Sequence, residues 1–194
     1  MKKLALILPG VGYNSNRPLL YFAKKIAAAF DYESLEVSYK DIPFGLRDCP
    51  ERLLAAEEEV CRQSYDFLSS CDLSSFNKIL FISKSIGTCA AASLSERLSE
   101  EGKISDFAHI LYTPLEKTFD FGSLLRACAF GGSADPWIDI KVLEKLCKKT
   151  SVPLEVYDKA NHSLETGDVL RDLTYLKDVM EKSRNFIEAF SNEG

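Results

Sequence analysis

The run Ser83-Lys84-Ser85-Ile86-Gly87 sets a hydroxyl, Ser85, between small residues placed two positions before and two after it. A serine hydroxyl attacks a carbonyl at neutral pH when an imidazole accepts its proton and a carboxylate orients that imidazole. Both groups follow downstream. Asp135 stands in Gly131-Gly132-Ser133-Ala134-Asp135-Pro136-Trp137, and His162 in Lys159-Ala160-Asn161-His162-Ser163-Leu164-Glu165. The chain has two histidines, and the other, His109, lies inside an apolar run where a buried structural role is expected. His162 is therefore the candidate base, Ser85 the nucleophile and Asp135 the orienting acid.

Each residue also has a plainer reading. Ser85 can serve as a helix N-cap, His162 as a solvated loop residue, and Asp135 as a turn former before Pro136. Asp139 and Asp158 are rival acids, and Ser83 is a rival hydroxyl that its strand-side position directs into packing. Lys84 can draw an anionic substrate, face solvent or join a structural ion pair. Tyr13 and Trp137 can wall a substrate site or pack beneath loops.

A tight turn from strand to helix is what would expose Ser85, so the surrounding elements matter. Six short apolar runs recur at 4–8, 35–39, 78–83, 108–113, 126–130 and 153–157. Their near-continuous apolar character suits strands covered on both faces of a parallel sheet. Helical patterns alternate with them. Asn16 is the expected cap of the first, with Pro18 in its first turn and Leu19, Leu20, Ala23, Ile26 and Ala27 inward. Pro50 opens a second, with Leu53, Leu54, Val60, Cys61, Phe67 and Leu68 inward. A third follows Ser85, with Ile86, Cys89, Ala90, Leu94 and Leu98 on one side. The fourth and fifth cover about 140–149 and 168–190. Alternation of this kind predicts a three-layer α/β/α sandwich around a mainly parallel sheet of about six strands. No repeat or linker-like shift interrupts it, so residues 1–194 read as one domain. Ligands of such sheets bind beyond the carboxyl ends of the strands, where Ser85, Asp135 and His162 all fall.

Composition narrows the function classes. Apolar residues are 46% of the chain, charged residues 27%, and the net charge is −5. No basic stripe is available to neutralise phosphates, which argues against nucleic acid as a partner. The run Glu57-Glu58-Glu59 reads as a solvated helix face. No apolar stretch approaches the ~18 residues of a membrane span. The N-terminal apolar run stops at Pro9-Gly10 and reads as a strand rather than a leader, so the cytoplasm is the default location. Six cysteines occur without a C-x-x-C pair, and with two histidines they make a metal site improbable; buried, reduced thiols are expected. A helical surface able to mediate a homodimer is compatible with the sequence, though no residue singles one out.

Ser85 in a strand–turn–helix context, with acid and then histidine after later strands, is the order of the α/β-hydrolase superfamily. The sequence resembles its small capless members, of the dienelactone-hydrolase-like and carboxylesterase kind. It departs from them at Ser83, where glycine is commoner, and at Lys84, where histidine often stands. The resemblance covers nearly the whole chain as a strand pattern, while its specific motifs lie in four loops. It implies an α/β-hydrolase fold without a cap domain and a Ser-His-Asp triad that cleaves an ester, thioester or similar acyl bond of a small molecule, with no cofactor or metal. It also implies an oxyanion hole built from the backbone N–H groups of Val11, in the loop Pro9-Gly10-Val11-Gly12-Tyr13-Asn14, and Ile86. Acyl transfer to another acceptor, peptide cleavage, or a non-catalytic binding role on the same fold are the alternatives.

Overall fold

Every residue of the run that precedes Ser85 is buried, and in the computed structural model it is the central strand of the sheet. The structure describes residues 2–43, 45–122 and 124–193. Among these, six strands form one sheet: β1 (Lys3–Leu8), β2 (Tyr32–Glu36), β3 (Lys78–Lys84), β4 (Phe107–Tyr112), β5 (Ala127–Gly132) and β6 (Leu154–Tyr157). All neighbours pair in parallel, in the order β2-β1-β3-β4-β5-β6. Five α-helices connect or follow them: α1 (Pro18–Ala29), α2 (Pro50–Ser69), α3 (Ile86–Glu100), α4 (Ile140–Thr150) and α5 (Val169–Asn192).

Side chains alternate across each strand, so each face of the sheet needs its own helical cover. On one face, Ala5, Ile7, Leu80, Ile82, Ile110 and Tyr112 pack against α1 and α5. On the other, Leu4, Leu6, Leu8, Ile79 and Phe81 pack against α2 and α3, and Ala129 lies in a neighbouring cluster with α4. From β1 the chain winds outward to β2, then returns across β1 to lay down β3 and proceeds the opposite way. The strand order thus reverses between β1 and β3. A crevice opens at such a switch point beyond the carboxyl ends of the strands, and the loops that follow β1 and β3 carry Val11 and Ser85.

Several sequence expectations need correction. The second strand starts three residues earlier than the apolar run at 35–39. As an edge strand it leaves Glu33, Ser34 and Glu36 exposed or partly exposed, while Val37 packs beyond its end and its N–H donates to the Ile7 carbonyl at 2.9 Å. Asn16 does not cap α1. Arg17 holds that position with no side-chain bond, and the phenol of Tyr13 accepts instead from the Leu19 N–H at 3.1 Å. On α2 the buried line is Ala56, Val60, Ser64 and Leu68, spaced one turn apart, which leaves Leu54 and Phe67 exposed. Glu57 is buried rather than solvated, because its carboxylate lies 3.8 Å from the Cys89 thiol, and that burial raises its pKa. All six cysteines are unpaired. No helix among the described residues is long and apolar enough to cross a membrane.

Candidate active site

Ser85 sits between β3 and α3 with φ 56° and ψ −128°, a backbone conformation that a residue with a side chain adopts only under constraint. Two features of the sequence hold it there. The Ser85 N–H donates to the Tyr112 carbonyl at the end of β4, at 3.0 Å. Gly87 then lets the first turn of α3 pass against the end of β1. A Cβ at that position would stand 2.3 Å from the Leu8 carbonyl oxygen and 2.4 Å from that of Pro9, well inside contact distance. Ser83 points away from the turn, and its hydroxyl donates to the Ile110 carbonyl at 3.2 Å.

Strands β5 and β6 bring the other two groups to the same edge. Asp135 follows the Gly131-Gly132 end of β5, and the loop that carries His162 crosses directly over Gly132. A side chain at Gly132 would collide with the Ala160 carbonyl oxygen at 2.1 Å, so the second glycine of the pair is what admits this crossing. The loop is pinned by Ala134 N–H to the Ala160 carbonyl, at 3.0 Å, and by Lys159 N–H to the Ser133 hydroxyl, at 2.7 Å. Asn161 folds the segment past His162, its side-chain oxygen accepting from Ser163 N–H at 2.7 Å and Glu165 N–H at 3.2 Å. Thr113, at the end of β4, donates its hydroxyl to the His162 carbonyl at 3.1 Å.

The result is a continuous hydrogen-bonded line. His162 Nδ1 lies 2.7 Å from Asp135 Oδ2, and its Nε2 lies 2.7 Å from Ser85 Oγ. A carboxylate only accepts, so Nδ1 carries the proton and Nε2 is left to accept from the Ser85 hydroxyl. Asp135 is 1% exposed at its side chain, and its second oxygen accepts from the Trp137 N–H at 2.9 Å. The pKa of His162 is lowered, first by burial and then by the charge of Lys84, against the opposing hydrogen bond and charge of Asp135. The imidazole is thereby kept neutral and able to take a proton near pH 7. The rival acids have other work. Asp139 caps α4 by accepting from Lys141 N–H at 2.8 Å, and Asp158 accepts from the Ser133 hydroxyl at 3.4 Å.

A cavity of about 210 Å³ opens onto Ser85 and His162 and is lined by every remaining candidate: Val11, Tyr13, Lys84, Ile86 and Trp137. The backbone turns sharply from Gly10 to Tyr13, the two residues exchanging N–H···O bonds at 3.2 Å, and this leaves Val11 at the tip. Among the described residues neither the Val11 nor the Ile86 N–H has a protein acceptor. The Trp137 ring lies 5.4 Å from that of His162, centre to centre, and forms one wall. Arg17, Leu46, Leu53 and Leu115 also line the cavity and were missed in the sequence. Arg17 was legible only as a neighbour of a helix start, and the leucines arrive from segments distant in the chain.

No protein-family model matches the chain, and no curated protein is significantly similar to it. Solved structures are. Est1E from Butyrivibrio proteoclasticus aligns over 97% of this chain and 88% of its own, with a TM-score of 0.66 at 12% identity. The esterase Pf2001 of Pyrococcus furiosus aligns over 98% and 84%, with a TM-score of 0.62 at 13% identity. A serine hydrolase without lid from Xanthomonas campestris, XC6422, aligns over 96% and 81%, with a TM-score of 0.59 at 10% identity. The chain has the α/β-hydrolase fold. Its version of that fold is the small, lidless one: between β4 and β5, where a cap could be inserted, the described residues hold only a 3-10 helix, Glu116–Asp120.

Proposed function

We propose that the chain is a serine hydrolase that cleaves an ester, thioester or similar acyl bond of a small molecule. The observation that carries this reading is the unbroken line from Ser85 Oγ through His162 to the buried carboxylate of Asp135, opening onto a cavity. As the Ser85 oxygen attacks the substrate carbonyl, its proton passes to His162 Nε2, and Asp135 stabilises the imidazolium that forms. The developing oxyanion is met by the N–H groups of Val11 and Ile86, the second at the positive end of α3. Collapse of the tetrahedral species expels the alcohol or thiol, which takes the proton from His162. Water then attacks the acyl-serine by the same route, His162 again accepting and returning a proton. No step requires a metal or organic cofactor.

Labelling with a fluorophosphonate probe beside the Ser85→Ala variant tests the assignment. The wild type is expected to label and the variant not to label. Equal labelling of both would refute the nucleophile, and a folded wild type that resists the probe would favour a binding role. A panel of acyl esters, thioesters and peptides then separates hydrolysis of small acyl compounds from peptide cleavage.

A further inference from the structure

The hydrolysis described above makes no use of Lys84, yet this residue is 1% exposed and lines the same cavity. Taking an ammonium out of water is strongly unfavourable unless a partner compensates it. Among the described residues, no carboxylate lies within ion-pair distance of Lys84 Nζ and no hydrogen bond is made by it. The Tyr13 ring lies nearby, 5.1 Å from Nζ to the centroid. The same strand supplies a comparison. Lys78, at the other end of β3, is 2% exposed, and there the fold provides a partner, Asp106, at 2.8 Å. The structure thus satisfies one buried lysine and leaves the other without an anion. Burial lowers the pKa of Lys84 to about 7, with only the more distant charge of Asp135 acting against it.

A second cation stands at the opening of the cavity. Arg17, exposed at the start of α1, places its guanidinium 5.8 Å from the same Tyr13 ring and lines the opening. Among the described residues, no Asp or Glu lines this cavity. Its other walls include Leu46, Leu53, Leu115 and Trp137, which suit a short carbon chain rather than a second polar group.

We propose that Lys84, with Arg17 at the rim, forms an anion subsite that selects short esters or thioesters bearing a carboxylate on the acyl chain. This rests on the serine-hydrolase reading above. Because Lys84 and Ser85 line the same cavity of about 210 Å³, the carboxylate stands within a few carbons of the reacting carbonyl. Hydrolysis adds water across the ester bond: the alcohol leaves with one hydrogen, and the acyl-serine is released as a dicarboxylic acid.

The test is the ratio of kcat/KM for monoethyl succinate to that for ethyl valerate, a neutral ester of similar length, measured by ethanol release. A charge-assisted bond to a buried ammonium is expected to favour the anionic ester by roughly 10-fold to 100-fold. In Lys84→Met, which fills the same volume without charge, the ratio is expected to fall to about one or below, and Lys84→Arg is expected to restore part of it. Arg17→Gln, a change at an exposed position that does not endanger folding, is expected to lower the ratio by a smaller factor. Fluorophosphonate labelling of Ser85 is run in parallel. A labelled wild type without preference for the anionic ester, or a preference that survives Lys84→Met, overturns the subsite and leaves the hydrolase reading standing. An unlabelled wild type overturns both.

Discussion

The buried histidine of β4, His109, gives a prediction whose size can be worked from the structure. His109 is 0% exposed at the middle of β4. Its ring stacks on Phe81 at 4.7 Å and meets the edge of Phe107 at 5.9 Å, and among the described residues neither ring nitrogen has a partner. Burial pushes its pKa from 6.5 down to about 3. The unfolded chain binds this proton near pH 6.5 and the folded chain does not, so the neutral ring contributes stability above that pH. The contribution is lost progressively as the pH falls toward 3. Each unit of the gap corresponds to about 1.4 kcal/mol, so the loss between pH 7 and pH 4.5 is about 2–3 kcal/mol. Against a total stability of ~5–15 kcal/mol, that is a large share.

The perturbation is His109→Phe, which keeps a flat ring in the aromatic stack, with His109→Leu as a smaller alternative. Stability from urea denaturation is measured at pH 7 and pH 4.5 for each protein, so that the carboxylates shared by all of them cancel. The wild type is expected to lose about 2–3 kcal/mol more than either variant over this interval. At pH 7 the variants are expected to equal or exceed the wild type, since a buried group with two unmet nitrogens is replaced by an apolar one. Fluorophosphonate labelling of Ser85 should persist, because His109 lies outside the site. Identical pH dependence in wild type and variants would refute the argument.

Three further outcomes follow from the site. Asp135→Asn removes the acceptor that fixes the His162 tautomer and is expected to lower kcat by on the order of 10³–10⁴ while Ser85 remains in place, read from steady-state kinetics. Gly87→Ala drives a methyl group to 2.3 Å from the Leu8 carbonyl oxygen, so a loss of at least about 3 kcal/mol in denaturation is expected, together with loss of labelling. The acid limb of kcat/KM on a neutral ester is expected below pH 6.5, because His162 is held under its ordinary pKa; in Lys84→Met the limb moves upward, since the charge that helps depress it is gone.

The parts of this molecule legible in its sequence were those that a local pattern encodes. Strand β3 is apolar on both faces because both are covered, and Ser85 is flanked by residues small enough for the turn. The relative order of Ser85, Asp135 and His162 placed them after the third, fifth and sixth strands, and the sheet delivers all three to one edge. Legibility ended where burial depends on distant partners. Strand β2 pairs on one side only, so its ends do not follow its apolar residues, and the Asn16 cap was displaced by a phenol three positions earlier. Glu57 gave no sign that it would face Cys89, more than thirty positions away.

Lys84 is the sharpest case of that boundary. In the sequence it was a charged residue beside a candidate nucleophile, equally suited to solvent, to an ion pair or to a substrate. Each of those readings predicts a different environment: exposure, a carboxylate at hydrogen-bond distance, or neither. The structure rejects the first through burial and the second through the absence of any such carboxylate among the described residues, while Lys78 demonstrates that this same strand can place a partner when the lysine is structural. A buried charge with no partner of its own is destabilising as it stands. In the subsite proposed above, its position on the cavity wall beside Ser85 gives that cost a function, because the substrate would supply the missing anion where it also brings its acyl carbon to the Ser85 hydroxyl.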